Sequence, residues 1–520
     1  MRSRVAALCS LAFAFSIATV AAAQPGPLFQ FLEKPGPHAV GLKVVEQYDY
    51  SRVYRPATDE LGKPYSGERA RPLETLIWYP AESASGKPMT VRDYSNLQAA
   101  ETDFDHPALS EHAQQWQRAM TPTLSMPLWA VRDAPLLSGK FPLVIYAPSF
   151  TAAAWENADL CEYLASHGYV VIASADMGVS TRNMTSDVAG INAQAGDISF
   201  LIGYAKSLPD ADLSEIAVAG FSWGGISNLF AAARDSRIEA LVSLDGSARY
   251  YAGLVKQADV HPEQMTIPLL FFTQGEFTFE DRERYLSNKD SSDGPSVLNA
   301  WTHGDLITVH MLGMMHVEFS SMYQRNEDIW KDTSELKADY GREDGPPGYQ
   351  WVARYTLAFL DAYLKHDAAA IAFLKKTPAE NGVPKHFMAV DYRPGKGTPL
   401  TLEAFRAELG RQGFDHTGQV FAAMQKEKPG FKLDEGAMND WGGSLIADHH
   451  LSEGTEILKL NVAMYPDSSN AYESLGEAYA ESGEKDKAIE NYKKALEKNP
   501  ENANAKKKLE ELQHGTAAAK

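Results

Sequence analysis

Ile216-Ala-Val-Ala-Gly220-Phe-Ser222-Trp-Gly224-Gly225 runs directly into Ile226-Ser-Asn-Leu-Phe-Ala-Ala-Ala-Arg234. The opening six residues form an apolar run of strand length, and the stretch from Ile226 has the composition of a helix. Between them stands Gly-x-Ser-x-Gly, which on a strand–turn–helix is a nucleophile elbow. A serine hydroxyl attacks poorly until a base takes its proton, so it must be held where a base can reach it. The turn that does this is so sharp that small residues are required two positions either side, here Gly220 and Gly224.

Working outward, strand-like and helix-like segments alternate from residue 24 to about 395. Strands are expected at 41–48, 74–79, 142–147, 169–175, 215–221, 240–244, 268–273 and 306–312, the last of the series. Helices are expected at 155–167, 197–207, 226–234 and, after that last strand, 349–365. Apolar strands alternating with helices predict a mostly parallel sheet covered on both faces. With the elbow, this is an α/β-hydrolase, a doubly wound α/β domain over 24–395. Two long stretches interrupt the alternation, 81–140 and 277–304. The first carries Trp116, Met120, Met126 and Trp129, and it reads either as a lid or pocket wall or as a subdomain packed away from the site.

Beyond Gly395-Lys-Gly397-Thr-Pro399 the character changes to helical, giving an all-α domain over 396–520. Trp441-Gly442 recurs as Leu475-Gly476 and Tyr465-Pro466 as Asn499-Pro500, both 34 positions on. Tyr472, Leu475, Gly476, Tyr479, Ala488, Tyr492, Ala495 and Pro500 follow the tetratricopeptide pattern. Two repeats and a capping helix over 502–513 are expected. Because such units bury a core only by stacking, the pair should lean on the helices of 400–426 or on the hydrolase. The repeats offer a surface for a protein partner.

Arg2 and Arg4, an apolar stretch over 5–20 and Ala21-Ala22-Ala23 have the three parts of a secretory signal peptide over 1–23. The stretch is short for a membrane span, and no later one is longer. Cys9 follows Leu8 and precedes most of the apolar core, which argues against a lipid anchor. After cleavage Cys161 is the sole cysteine, so no internal disulfide can form. The expectation is an exported, periplasmic or secreted enzyme. The net charge of −19 disfavours nucleic acid and anionic membrane as partners. Nothing in the chain has the spacing of a metal or cofactor site, and the adjacent His449-His450 reads as a solvated helix end.

In this fold the triad runs Ser…acid…His, each on a loop after a strand. His316, after the strand at 306–312, is the candidate base; His310 falls inside that strand and His303 precedes it. The residues leave the acid open between Asp245, at the tip of the strand after the elbow helix, and Glu276 or Asp281 one strand later, the commoner placement. The plainer role for any of them is that of a turn or helix-cap residue.

The elbow, Leu244-Asp245 placed 23 residues after Ser222, and His316-x-x-Phe319 resemble the secreted platelet-activating-factor acetylhydrolases and their bacterial, dienelactone-hydrolase-like relatives. So do His38-Ala-Val-Gly41, Ile77-Trp-Tyr-Pro80, Phe141-Pro-Leu-Val-Ile-Tyr146 and Leu164-Ala-Ser-His-Gly168-Tyr, over residues 36–365. The resemblance implies a serine esterase with Asp245 as the acid. It also implies an oxyanion hole made by the N–H groups of Trp223 and Phe150. Where the family has His-Gly after the third strand, this chain has Pro148-Ser149-Phe150. The tail resembles tetratricopeptide tails on other bacterial serine hydrolases. The leading expectation is cleavage of a small-molecule or lipid-like carboxylic ester through an acyl-enzyme. The rivals are an amidase or peptidase, and an interaction protein with a decayed hydrolase domain.

Overall fold

Among the described residues eleven strands form one sheet, because most of them have no polar face to offer water. The computed structural model describes residues 29–83, 85–275, 296–333 and 340–514. The expected signal peptide, Glu276, Asp281 and most of the 277–304 stretch lie outside the described residues. The strands are β1 (Ala39–Val53), β2 (Ala70–Ala81), β3 (Pro88–Thr90), β4 (Pro127–Arg132), β5 (Phe141–Ala147) and β6 (Val170–Ser174). They continue as β7 (Ala211–Phe221), β8 (Ala240–Leu244), β9 (Leu269–Gln274), β10 (Leu306–Met311) and β11 (Met388–Arg393). Their order is β11-β10-β9-β8-β7-β5-β6-β2-β1-β4-β3. β5 to β10 pair in parallel, and β2 joins β6 antiparallel.

Side-chain alternation divides the core between the two faces. Leu76 and Trp78 of β2, Val144 and Tyr146 of β5, and Ala217, Ala219 and Phe221 of β7 lie in one buried cluster. Ile77 and Tyr79, Leu143 and Ile145, and Ile216 and Val218 lie in the other. The chain leaves β5 for β6 on one side and returns past β5 to β7 on the other. The C-terminal ends of β5 and β7 therefore flank the crevice at which doubly wound sheets place their sites.

Three expectations are corrected. The strand at 306–312 is not the last, because β11 follows and pairs antiparallel with β10; it is a short edge strand with one buried residue, so its apolar signal is slight. The helix expected over 197–207 starts earlier, at Val188, where the Asp187 side chain caps Gly190 N–H. Asp197 lies inside this helix and accepts from Arg71 and Arg52 in a nearly buried ion-pair cluster. The 81–140 stretch contributes β3 and β4 to the sheet, β4 pairing in parallel with β1. It also contributes helices Val91–Leu97 and Glu111–Ala119.

The chain divides into two compact units between Gly397 and Thr398. In the second, helices Glu435–Ala447 with Leu451–Met464 and Ser469–Glu481 with Lys485–Lys498 form successive hairpins. Ala503–His514 follows. Leu475, Tyr479, Ala488, Tyr492 and Ala495 form its small core. A methyl group on Gly442 would sit 2.6 Å from Leu458, and one on Gly476 3.1 Å from Tyr492, so the repeated glycine is what lets each hairpin close. Helices Leu402–Gln412 and Thr417–Glu427 share a core with the first hairpin. Among the described residues no helix is long and apolar enough to cross a membrane.

Two buried carboxyls make stability depend on pH. Glu162 accepts from Tyr94 Oη at 2.6 Å and Trp129 N–H at 2.5 Å, tying the 81–140 stretch to helix Ala158–Ser166. Burial pushes it up to about 8. Glu74 on β2 is pushed up to about 9 by burial, then by Glu101 and Glu46. Between the ordinary value of 4.5 and those values, the native state keeps a proton that the unfolded chain has lost. Stability should therefore fall as pH rises, by at most ~1.4 kcal/mol per pH unit for each group. The thermal midpoint should decline from pH 5 to pH 8, and Glu74→Gln should flatten that decline. Equal slopes for the two proteins, measured by circular dichroism, would contradict the assignment.

Candidate active site

Ser222 occupies the elbow between β7 and helix Trp223–Ala232, with φ 53° and ψ −112°. A non-glycine residue in this region is strained, and the surroundings must hold it there. Ser222 N–H donates to Leu244 O at 3.0 Å, while Ser222 O accepts from Gly225 N–H at 3.0 Å and Ser247 N–H at 2.7 Å. The elbow is thus strapped to the loop after β8. A methyl group on Gly224 would lie 2.0 Å from Ala147 O and 2.8 Å from Pro148 O. Both are backbone atoms, so the elbow can approach the loop after β5 only with glycine at this position.

The structure brings Ser222, His316 and Asp245 together. His316 opens a 3-10 turn, His316–Phe319, beyond β10, and its backbone N–H donates to Gln274 Oε1 at 2.8 Å. Its Nε2 is 2.8 Å from Ser222 Oγ and its Nδ1 is 2.6 Å from Asp245 Oδ2. Phe221 packs its ring 4.9 Å from the imidazole. Asp245 has no exposed surface and a positive φ of 44°. Its backbone N–H is fixed on Phe272 O. Gln274 N–H donates to Oδ1 at 3.1 Å, and Arg249 Nη2 stands 2.8 Å from the same oxygen. Burial pushes the Asp245 carboxyl up, but Arg249, then His316 and Gln274 outweigh it and hold the group below the usual range.

Trp223 and Phe150 meet across the cleft, their rings edge to face at 5.4 Å. Trp223 N–H is the first of its helix and has no intrahelical acceptor. Phe150 is 42% exposed, and the backbone on either side of it is committed elsewhere. Pro148 O accepts from Gln194 Nε2 at 2.8 Å, Ser149 N–H donates to Glu156 Oε2 at 2.9 Å, and Thr151 N–H donates to Asp176 Oδ2 at 2.7 Å. Arg182, paired with the buried Glu101 of the 81–140 stretch, donates to Thr151 O and Asp176 O. Burial pushes Glu156 up to about 7, against the donors Ser149 and Tyr146 and the nearby His316. It also pushes Asp176 well up. Pro148, which has no N–H, is therefore held as an acceptor.

The rival histidines lie apart from this cluster. His310 is inside β10 with Nδ1 2.5 Å from Thr273 Oγ1, and His303 Nδ1 is 2.7 Å from Gly397 O. His449, at φ 68°, links two helices of the second unit. Trp116 packs edge to face on Tyr323 at 5.0 Å, and Tyr323 on Phe221 at 6.2 Å, so it joins the aromatic array that ends on His316. Trp129 instead packs on Phe31 at 5.7 Å. Sequence reasoning missed Arg249, Gln274, Glu156 and Asp176. Only Arg249 left a trace, at four residues beyond Asp245. Among the described residues no group of three or more His, Cys, Asp or Glu could hold a metal ion.

The family model described as chlorophyllase matches residues 101–271, a stretch that includes Ser222 and Asp245 and stops before His316. The tetratricopeptide repeat model matches residues 469–502. A search of curated proteins finds no match. Among solved structures 549 chains match. One of them, a ferulic acid esterase from Streptomyces cinnamoneus, has a TM-score of 0.49 and 18% identity, covering 70% of this chain and 98% of that one. Residues 101–271 are thus similar to the chlorophyllase family and residues 469–502 to the tetratricopeptide repeat.

Proposed function

We propose that the protein is an exported serine hydrolase that cleaves a carboxylic ester through an acyl-enzyme. The observation that carries this reading is the continuous chain Ser222 Oγ, His316 Nε2, His316 Nδ1, Asp245 Oδ2, with links of 2.8 and 2.6 Å. His316 takes the Ser222 proton as Oγ attacks the ester carbonyl. The N–H groups of Trp223 and Phe150 receive the oxyanion as it develops. His316 then returns the proton to the leaving alcohol, and a water repeats the sequence on the acyl-enzyme. Asp245 fixes the imidazole tautomer and stabilises the imidazolium. The rings of Phe150, Trp223, Phe221, Tyr323 and Trp116 give the surroundings an apolar character that suits a lipid-like or aromatic ester. The repeats are proposed to bind a protein partner, and the leader over 1–23 to direct export.

Asp245→Asn should lower turnover of a soluble ester by about 10⁴-fold with an unchanged circular dichroism spectrum, since the amide is nearly isosteric. Turnover near the wild-type value would move the acid elsewhere, to Glu276 or Asp281. Trp116→Ala should change the preference for acyl-chain length across a nitrophenyl ester series. Trp129→Ala should lower the thermal midpoint and leave that preference alone. Equal effects of the two on preference would make Trp116 plain packing.

A further inference from the structure

Asp245 spends one oxygen on His316 and the other on a cation. Oδ2 faces His316 Nδ1, while Oδ1 receives Gln274 N–H and the Arg249 guanidinium. Neither member of this ion pair reaches water, with Arg249 2% and Asp245 0% exposed. Arg249 closes the short 3-10 turn Ser247–Arg249, whose first N–H is bonded to Ser222 O. The strap that fixes the nucleophile therefore also delivers the cation to the acid. The guanidinium lies over the Tyr250 ring, 4.4 Å from its centroid, and donates to the Tyr250 hydroxyl. Among the described residues its buried Nε has no hydrogen-bond partner. Being buried, it does not touch substrate.

We propose, resting on the reading above, that Arg249 is a positioning residue that also sets the lower pH limit of the reaction. Its guanidinium locks the Asp245 rotamer and neutralises part of the charge that would otherwise stabilise the protonated base. Because Asp245 and Arg249 are both out of water, a full charge at this distance acts strongly on its neighbour. With the cation present, less negative charge faces the imidazole, and neutral His316 survives to lower pH. Without it the imidazolium is stabilised, the base is lost sooner on acidification, and the acid side of the activity profile moves to higher pH.

Other groups facing His316 among the described residues are few. Ser222 approaches from the elbow. Glu156, from the loop before helix Ala158–Ser166, is fully buried and pushed up to about 7 by that burial. Glu318, on the same turn as His316, is buried with Oε2 accepting from Met315 N–H at 2.7 Å. Tyr323 follows on the next helix. Glu156, pushed up to about 7, titrates within the pH range of the test, so it must be separated there.

The experiment is the pH profile of kcat/KM on the neutral ester p-nitrophenyl acetate, with full-length wild type, Arg249→Met, Arg249→Gln and Arg249→Lys. The acid-side midpoint should rise by about one pH unit in Met and Gln, which lack the charge, and stay near wild type in Lys. Gln keeps a donor for Asp245 and covers the case in which Met fails to fold. The rise should persist when Arg249→Gln is combined with Glu156→Gln. Lower plateaus with an unmoved midpoint in Met and Gln would make Arg249 structural packing and overturn the proposal. A rise that vanishes in the Glu156→Gln background would also overturn it, by assigning the effect to Glu156. Failure of the parent reading looks different: Ser222→Ala would then hydrolyse the ester as fast as wild type.

Discussion

Ser222 holds a backbone conformation that a residue with a side chain resists, and much of the site is arranged around that strain. The φ of 53° lifts Oγ out of the sheet, and it persists because both its N–H and its carbonyl are bonded to the strand and turn that follow the elbow helix. Those same bonds fix where β8 ends, and so where Asp245 begins. The missing side chain at Gly224 allows the loop after β5 to lie against the elbow, which brings Phe150 to the first turn of the helix. The proposed nucleophile, acid and oxyanion loop are thus set by one tight corner. The histidine arrives separately, on the turn after β10, held by Gln274 from the end of β9.

The electrostatic design is uneven. Behind the proposed triad, the buried Arg249 guanidinium pairs with Asp245. Behind the proposed oxyanion loop, two fully buried carboxyls, Glu156 and Asp176, accept the N–H groups on either side of Phe150. An ionised carboxylate there would oppose an oxyanion, and burial favours the neutral form of each. Such groups cost stability, and they persist where fixed polar geometry is needed. Glu156 also reaches the histidine side of the site, its carbonyl accepting from Met322 N–H at 3.1 Å. The adjacent Asn157 bonds Phe319 O and Ser321 N–H. The loop that carries Phe150 and the turn that carries His316 are thereby joined through two consecutive residues.

Much of this was legible in the chain because it is local. The elbow is a contiguous pattern, the central strands are uninterrupted apolar runs, and Asp245 and His316 each follow such a run directly. What escaped depends on partners distant in sequence. β3 and β11 are short edge strands and β4 is a short strand between β1 and β3; their identity comes from the strands they pair with, not from their own alternation. The start of helix Val188–Tyr204 was hidden because its first turns are rich in alanine and glycine, and its cap, Asp187, looks like any loop acid. The acid is narrowed by resemblance, since a strand tip with a carboxylate occurs twice in succession; of the three candidates only Asp245 lies within the described residues, where it contacts His316. Glu156 and Asp176 give no sequence signal at all, because a buried carboxylate is recognised only by the backbone N–H groups that surround it.

The central claim is that Ser222 is activated by His316. It is tested most directly by covalent labelling with a fluorophosphonate probe followed by peptide mapping. The account predicts one phosphonylated residue, Ser222, labelled rapidly in the wild type and slowed by orders of magnitude in folded His316→Ala. Label on another residue, or equal labelling rates in the two proteins, would contradict it.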